Sequence, residues 1–346
     1  MPKPIIPPHI KKIDGHAHIM PENWPMLADK YGYKGFIYLE DEPATDTKKM
    51  MRDDGVFFRR VSRNCWDPNA IIADMDKHNV DMMVLCTIPV LFNYWAQPEH
   101  TLDWSMFLND HLLQVQNQYP DRFIGLGTLP MQDPSLAAME LERIAKLGMP
   151  GIEIGSNIDG VNLDDESLFP IYEAAEALNM AIFVHPWNMM GEKEMQKYWL
   201  PWLVGMPAET SLAICSMIFG GIFERLPKLR VAFAHGGGSF PATLGRIKHG
   251  FDCRPDLVAI DNPISPEKYI GKFWIDSLVH DKKTMDFVLD MFGPDKIALG
   301  SDYPFPLGEN IPGNLIRQSG YDKNVQEKLL SGSALSWMNM KKEQFL

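Results

Sequence analysis

Ile13-Asp14-Gly15-His16-Ala17-His18-Ile19 has the pattern of a short β-strand that carries two histidines on one face. Side chains alternate along a strand with period two, so His16 and His18 project to the same side. Joined by a third imidazole and a carboxylate, two such rings can bind zinc or a similar divalent ion. The stretch therefore predicts the first strand of the fold and the beginning of a metal site.

Three more candidates for metal binding lie far downstream. His185, His235 and Asp302 each end or follow a short apolar run that is typical of a buried strand. A His-x-His pair alone is weak evidence, because buried histidines often only satisfy hydrogen bonds. Each of the five candidate residues, however, lies at the end of a predicted strand. This placement predicts that their side chains meet at one metal ion.

Eight short strand-like segments alternate with helical patterns. Most are apolar on both faces, as in Val84-Leu85-Cys86, which is typical of a parallel sheet buried on both sides. The predicted strands cover residues 13–19, 81–89, 122–129, 151–156, 181–185, 230–235, 273–278 and 296–302. This pattern indicates an α/β fold, a (β/α)8 barrel of the TIM type, whose strand ends converge on one mouth. An open doubly wound sheet is the alternative, but no glycine-rich dinucleotide motif follows the first strand.

The whole chain, residues 1–346, is expected to form a single barrel domain with two insertions. The first covers about residues 20–65, after strand one. The second covers residues 188–207, after strand five, and is rich in aromatic side chains. Both emerge at the C-terminal ends of strands, where active sites of this fold lie. We therefore expect the insertions to form walls of the active site.

Charge and cysteine content exclude several classes of protein. With 33 basic and 45 acidic residues the net charge is −12, which disfavours binding to nucleic acid or to an anionic membrane. The four cysteines form no CxxC motif and fit reduced thiols in a cytoplasmic protein. Residues 1–12 lack the apolar segment of a secretory signal, and the apolar stretch 211–223 is too short to cross a bilayer.

From residue 13 onward the chain resembles the amidohydrolase superfamily of metal-dependent barrels, and within it a group of decarboxylases. Five segments carry the resemblance, namely residues 64–68, 125–132, 198–210, 233–238 and 302–308. No single segment is decisive, but five in the same order leave little room for chance. The chain departs from the family mainly at its proline-rich start, to which we assign no chemistry.

The resemblance implies one Zn²⁺ per subunit, with Co²⁺ or Fe²⁺ as possible substitutes. His16, His18, His185 and Asp302 would hold the ion. His235 would lie beside the metal without binding it and would act in catalysis together with Asp302. This ligand set is an expectation from the family, carried over one residue at a time.

The resemblance also implies how the substrate is bound. Arg59 would pair with a substrate carboxylate, because counting back from Cys65 favours it over Arg60. Trp202 and Phe305 would form walls of the pocket. Arg246 would reach the site of the neighbouring subunit, which makes a homodimer the expected active form. One further histidine, His280, follows the seventh strand and could line the mouth of the barrel, but we assign it no role.

The reaction implied by the family is loss of carbon dioxide, without oxygen or a redox cofactor, from a small conjugated dicarboxylate that carries a semialdehyde. Zinc can lower the pKa of its water toward ~7. His235, with an ordinary histidine pKa near ~6.5, can take that proton and return it later. In one route hydroxide first adds to the substrate, and in another the metal binds the carboxylate directly. The sequence does not choose between these routes.

Three other functions stay open at this point. The first is a related barrel decarboxylase of a hydroxybenzoate-type aromatic acid, although such relatives often carry Glu-x-His in place of His-x-His. The second is a metal-dependent hydrolase of a lactone or amide. Residues 151–155 contain no lysine for a second metal, which favours one ion but does not exclude hydrolysis. The third is a metal-stabilised binding protein without turnover.

Overall fold

Thirteen strands are present in the computed structural model, which describes residues 6–7 and 9–342. Eight of them run parallel and build the barrel, as predicted. They are β1 (Ile13–His18), β5 (Met82–Cys86), β6 (Phe123–Gly125), β7 (Gly151–Gly155), β10 (Ala181–His185), β11 (Arg230–Phe233), β12 (Trp274–Asp276) and β13 (Ile297–Ala298). The other five are β2 (Ile37–Glu42), β3 (Thr47–Arg52), β4 (Phe57–Ser62), β8 (Asn157–Ile158) and β9 (Val161–Asn162).

The barrel closes through two short connections between its hydrogen-bonded halves. One half has the strand order β1-β5-β6, and the other has the order β13-β12-β11-β10-β7. Gly127, just after β6, forms a parallel bridge with Ile152 of β7, and Ala17 of β1 forms one with Tyr303, after β13. Every strand end on the C-terminal side therefore faces the same mouth.

Helices connect the strands and surround the barrel, as the sequence predicted. They are α1 (Leu27–Tyr31), α2 (Pro68–His78), α3 (Pro98–Gln118), α4 (Pro134–Lys146), α5 (Phe169–Ala177), α6 (Met206–Phe219), α7 (Ile222–Arg225), α8 (Phe240–Cys253), α9 (Pro255–Val258), α10 (Lys282–Phe292), α11 (Asn314–Gln318), α12 (Lys323–Glu327) and α13 (Ser333–Met338). Asp67, Asp133 and Asp281 cap α2, α4 and α10 by accepting hydrogen bonds from backbone N–H groups of the first turn.

Strand alternation sorts the core into two layers. On β10, Ala181 and Phe183 belong to the cluster of apolar side chains shared by several strands and by Trp337 of the last helix. Ile182 and Val184 belong instead to the larger cluster that includes residues of the surrounding helices. His185 follows Phe183 by two residues, so the same alternation directs its ring toward the barrel axis.

The first insertion contains a small sheet that the sequence did not reveal. Strands β2, β3 and β4 form an antiparallel three-stranded sheet, with Glu40 opposite Lys49 and Met50 opposite Arg59. Buried apolar residues beneath it, including Leu27 and Phe36, pack against the turn after β5 and against α3. The sheet thereby holds Arg59 over the mouth of the barrel.

The apolar helix after the second insertion begins and ends earlier than the stretch 211–223. α6 begins at Met206, five residues before the predicted start, and a wide helical turn over Pro201–Gly205 precedes it. By length and composition the stretch Pro201–Phe219 could cross a membrane, but half of it is buried inside the structure. Its buried residues, Ala213, Ile214 and Met217 among them, belong to the core cluster between strands and helices. The packing is that of a core helix.

Candidate metal centre and substrate pocket

Four histidines and one aspartate meet at the mouth of the barrel. The Nε2 atoms of His16 and His18 lie 3.2 Å apart, and Asp302 Oδ1 lies 3.1 Å from His18 Nε2 and 3.5 Å from His16 Nε2. The ring of His185 is centred 5.2 Å from that of His16 and 5.1 Å from that of His18. His235 completes the group, with its Nε2 atom 3.8 Å from Asp302 Oδ2. The structure thus brings together every residue that the sequence proposed for the metal site.

The orientation of three rings fits metal binding. The Nδ1 atom of His18 lies 2.9 Å from the carbonyl oxygen of Thr87, and that of His185 lies 3.0 Å from the carbonyl oxygen of Pro186. A carbonyl only accepts, so Nδ1 carries the proton and Nε2 keeps its lone pair. His16 has the same arrangement, with Nδ1 2.8 Å from Asp276 Oδ2. These residues fit a divalent ion, because three Nε2 lone pairs and a carboxylate face one centre.

One buried nitrogen in the cluster is also available to bind a ligand. His185 Nε2 is buried and makes no hydrogen bond to any of the described residues. An unpartnered buried nitrogen costs free energy unless a ligand satisfies it. Burial also holds the pKa of His185 well below the ordinary value, so the ring is neutral and can bind a metal.

Neighbouring side chains favour the ionised form of the Asp302 carboxyl group. Burial on its own would raise the pKa of this carboxyl group, but the adjacent imidazole rings of His18 and His235 hold the pKa well below its ordinary value. The same contact acts on His235, where burial opposes protonation but the Asp302 carboxylate raises the pKa. The cluster therefore contains one fixed anion beside one histidine that can hold a proton.

A strained loop places His235 beside the cluster. His235 has a left-handed backbone with φ of 56°, and Gly236, Gly237 and Gly238 after it also have positive φ. A Cβ atom added to Gly238 would lie 2.4 Å from the carbonyl oxygen of Pro207. The glycines are thus required for this close backbone approach.

Asp276 on β12 organises this region, and sequence reasoning missed it. Its Oδ2 atom accepts from His16 Nδ1 and from the backbone N–H of His235 at 2.9 Å. Its Oδ1 atom accepts from the backbone N–H groups of Gly236 and Leu278, at 2.8 and 3.0 Å. A buried carboxylate in an otherwise apolar predicted strand, Phe273-Trp274-Ile275-Asp276, was the available signal.

Two other buried carboxyl groups lie close to the cluster. Asp14 accepts hydrogen bonds from the Ser301 hydroxyl, from Ser301 N at 3.0 Å and from His16 N at 3.2 Å. It therefore connects β1 to the loop that carries Asp302. Glu153 lies behind His18, 3.9 Å from its Nδ1 atom, and burial raises its pKa well above the ordinary value. Neither Glu153 oxygen accepts a hydrogen bond from the described residues.

Arg59 is held in a box of aromatic rings. Its guanidinium carbon lies 4.5 Å from the ring centre of Phe305, 5.7 Å from that of Phe58 and 5.8 Å from that of Trp202. Rings at these distances stabilise a cation without neutralising it. Arg59 forms no salt bridge with the described residues, whereas the adjacent Arg60 pairs with Glu42. Arg59 thus presents a positive charge that forms no direct salt bridge with the described residues, as expected of a residue that binds a carboxylate.

The pocket next to Arg59 is narrow. It has a volume of about 30 Å³ and is lined by both metal-site and aromatic residues, including His18, His185, Asp302, Phe58, Trp187, Trp199, Trp202 and Phe305. The proposed walls Trp202 and Phe305 are therefore in place. Trp199 and Phe58 also belong to the wall, and the aromatic content of the two insertions was the signal that pointed to them.

Arg246 is the one proposed residue that lies apart from this site. It is exposed on α8 and lines neither this pocket nor the larger cavity beside His235. Within one subunit it cannot contact the substrate. Its role in a neighbouring site stays a prediction.

The metal cluster has one more member than a four-ligand site needs. His16, His185, His235 and Asp302 each offer a ligand atom, and these four atoms all lie within 4.8 Å of one another. His18 lies equally close to His16 and Asp302. The assignment of His18 as ligand and of His235 as the non-ligating residue therefore stays a prediction.

The chain is similar to known enzymes over almost its whole length. The amidohydrolase family model matches residues 13–337. A 2-amino-3-carboxymuconate-6-semialdehyde decarboxylase of Dictyostelium discoideum is 55% identical over 337 residues, covering 97% of this chain and 93% of that protein. The enzyme of the same name from Caenorhabditis elegans is 38% identical over 381 residues, covering 95% and 94%.

A solved structure has the same fold. It is a 5-carboxyvanillate decarboxylase of Novosphingobium aromaticivorans, complexed with manganese and 4-hydroxy-3-methoxy-5-nitrobenzoic acid. It aligns with a TM-score of 0.78 at 21% identity, covering 98% of this chain and 99% of that one. This likeness supports the barrel fold alone. From the family match and the two close relatives, we conclude that the chain belongs to the amidohydrolase family, within its group of 2-amino-3-carboxymuconate-6-semialdehyde decarboxylases, and is an enzyme of the carboxy-lyase class.

Proposed function

We propose that this enzyme removes carbon dioxide from 2-amino-3-carboxymuconate 6-semialdehyde and forms 2-aminomuconate 6-semialdehyde, without oxygen. The observation that carries the proposal is the free cation Arg59, held in an aromatic box next to a cluster of metal-binding residues. The 55% identity to the Dictyostelium enzyme of that name supports the same substrate. In this role the enzyme would act in tryptophan degradation by the kynurenine route, after 3-hydroxyanthranilate, and would limit the flux to quinolinate.

The substrate has two carboxylates on a planar conjugated chain. Arg59 binds one of them, because guanidinium stays charged and can pair with both oxygens at once. Aromatic walls around it pack against the flat chain and exclude water, which strengthens the ion pair. The same charge draws an anionic substrate into a protein with a net charge of −12.

Proton transfer is assigned to His235. Loss of carbon dioxide leaves an electron pair on carbon, and a positioned acid must deliver a proton there. His235 Nε2 faces Asp302, whose carboxylate favours the protonated ring. Asp302 therefore assists catalysis by favouring the protonated form of His235.

We propose that the bound ion is Zn²⁺, one per subunit, held by His16, His18, His185 and Asp302. When bound, such an ion supplies Lewis acidity and lowers the pKa of a water ligand toward neutrality. Three imidazoles and one carboxylate are a typical zinc donor set, but Co²⁺ and Fe²⁺ can use it too. Mn²⁺ is a further candidate, since the structurally similar carboxyvanillate decarboxylase contains it.

We further propose that the enzyme is a cytoplasmic homodimer in which Arg246 enters the site of the neighbouring subunit. Arg246 is exposed, and it forms no salt bridge within the described part of the chain. A second arginine would pair with the second carboxylate of the substrate. The four cysteines are free in the structure, which fits a reducing compartment.

A single assay tests the substrate and the metal requirement together. 2-Amino-3-carboxymuconate 6-semialdehyde is generated in place from 3-hydroxyanthranilate and a dioxygenase, and its ultraviolet absorbance and the released carbon dioxide are followed. We expect metal-loaded enzyme to release carbon dioxide faster than the substrate cyclises spontaneously, and metal-stripped enzyme to be inactive. If metal-loaded enzyme is inactive here but decarboxylates a hydroxybenzoate, the aromatic-acid alternative is correct. Activity only on lactones or amides would favour a hydrolase.

A further inference from the structure

A second cavity opens onto the same cluster of histidines. It has a volume of about 270 Å³ and shares Trp202, Met206, Asp302 and Leu307 with the pocket of Arg59. His235 lines this second cavity and does not line the Arg59 pocket. Arg59, in turn, does not line the second cavity. The residue that binds a carboxylate and the residue that transfers a proton thus face two adjoining spaces.

The positions of Arg59 and His235 determine how a substrate must lie. They line adjoining spaces that share Trp202, Met206, Asp302 and Leu307, so a molecule that contacts both residues extends from one space into the other. His235 must come within about 3 Å of the atom that it protonates. A planar conjugated chain cannot fold back on itself, so the end of the molecule remote from Arg59 must extend into the second cavity.

In that cavity one polar side chain is free to meet the remote end. His280, just after β12, lines the cavity and forms no hydrogen bond or ion pair with the described residues. Besides His235 and Asp302, the cavity contains the hydroxyl of Thr284, which already donates to Asp281 Oδ2 at 2.6 Å. Leu278 and Val279 supply the apolar wall.

The backbone at His280 is also unusual. Its φ is 66°, a left-handed conformation that a few per cent of non-glycine residues adopt, most often asparagine, aspartate and histidine. Non-glycine residues in this conformation are concentrated at functional sites, where they aim a side chain. The sequence placed His280 near the mouth of the barrel but gave no reason to assign it a function.

We propose that His280 forms a substrate subsite by donating a ring N–H to the aldehyde oxygen at the end of the chain remote from Arg59. This inference rests on the proposed function, because it assumes a substrate that carries an aldehyde. The aldehyde is conjugated with the rest of the chain, so its oxygen is a strong acceptor. His280 would thereby distinguish a semialdehyde from a plain dicarboxylate of the same length.

Two variants at this position test the subsite. His280→Ala removes the donor, and His280→Asn keeps a shorter N–H donor on a residue that tolerates a left-handed backbone. We expect KM for the semialdehyde to rise about tenfold in His280→Ala, as for one lost hydrogen bond, and to recover partly in His280→Asn. Lys283→Ala, an exposed neighbour on α10 that lines neither cavity, is the matched control and should leave KM unchanged.

A second ligand separates recognition of the aldehyde from general damage. Pyridine-2,3-dicarboxylate is planar and has two carboxylates but no aldehyde, and its inhibition constant should change less than twofold in His280→Ala. Equal losses for substrate and inhibitor, or an unchanged KM, would overturn the subsite. Metal content and the thermal midpoint show whether each variant is folded. A wild-type enzyme that does not release carbon dioxide from the semialdehyde would overturn the proposed function, and the subsite with it.

Discussion

The ring of His16 forms a hydrogen bond with Asp276 in the buried part of the site, where Nδ1 and Oδ2 are 2.8 Å apart. The same carboxylate oxygen accepts the backbone N–H of His235. One side chain therefore orients a proposed metal ligand and the proposed proton donor together. Hydrogen bonds to His16 and to backbone N–H groups keep the pKa of Asp276 below its ordinary value, although burial acts in the opposite direction.

Replacing Asp276 should therefore weaken metal binding and catalysis at once. In Asp276→Asn we expect the metal affinity, measured by competition with a chelator, to fall ten- to one-hundredfold, because the acceptor of the His16 proton loses its charge. Glu209→Gln is the matched control. Glu209 is equally buried but accepts from Asn157 and from the backbone of Met190, away from the metal cluster. Unchanged metal affinity in Asp276→Asn would contradict the orienting role.

Metal content should distinguish ligands from the proton donor. His235→Ala should keep one metal ion per subunit while kcat falls by about 10²- to 10⁴-fold, the usual contribution of general acid–base catalysis. His18→Ala and His185→Ala should lose the metal, measured by elemental analysis after dialysis. If His235→Ala also loses it, His235 is a ligand, which the 4.8 Å cluster of His16, His185, His235 and Asp302 allows.

Replacing Arg59 should reduce kcat/KM much more than replacing the adjacent Arg60. In Arg59→Ala we expect kcat/KM to fall at least about 30-fold, because the substrate carboxylate loses a charged partner in a desolvated pocket. Arg59→Lys should recover only part of this loss, since an ammonium group does not pair with two oxygens in the same way. Arg60→Ala, which removes a surface ion pair with Glu42, should change kcat/KM less than twofold.

Mixed dimers test whether Arg246 acts across subunits. Arg59→Ala and Arg246→Ala should each be nearly inactive alone. If each site takes Arg59 from one subunit and Arg246 from its partner, a mixed dimer contains one intact site. Refolding the two variants together should then restore up to about a quarter of the wild-type activity, since half of the dimers are mixed and each has one of two sites. Complete absence of recovery in verified mixed dimers would contradict shared sites.

The stability of the fold should depend on pH through His111, a histidine on α3 remote from the metal cluster. Burial lowers its pKa to about 4. Because the unfolded chain binds this proton near pH 6.5 and the folded chain does not, the contribution of His111 is complete above pH 6.5. It is lost as the pH falls from 6.5 toward 4, by up to about 1.4 kcal/mol per pH unit.

A variant isolates this contribution. The free energy of unfolding of His111→Leu, measured by urea titration at several pH values, should fall less steeply between pH 6.5 and 4 than that of the wild type. The two proteins should show parallel curves above pH 7. Parallel curves throughout would mean that His111 does not titrate with a lowered pKa.

The sequence by itself determined the fold class and the metal cluster. Period-two alternation places His16 and His18 on one face, and eight apolar runs alternating with helices leave few topologies besides a barrel. In such a barrel the ends of the strands converge, so His185, His235 and Asp302 had to meet them. These are local patterns combined with a fixed topology, which is why they can be read from residues.

Only the tertiary structure decided which groups surround that cluster. Asp276 reaches His16 across 260 positions of sequence, and the aromatic box of Arg59 combines Phe58, Trp202 and Phe305 from three separate segments. The left-handed backbone at His280 and the division of the mouth into two cavities leave no periodic signal either. Hydrogen bonding and packing between distant segments depend on the folded geometry, whereas strand periodicity depends only on neighbours along the chain.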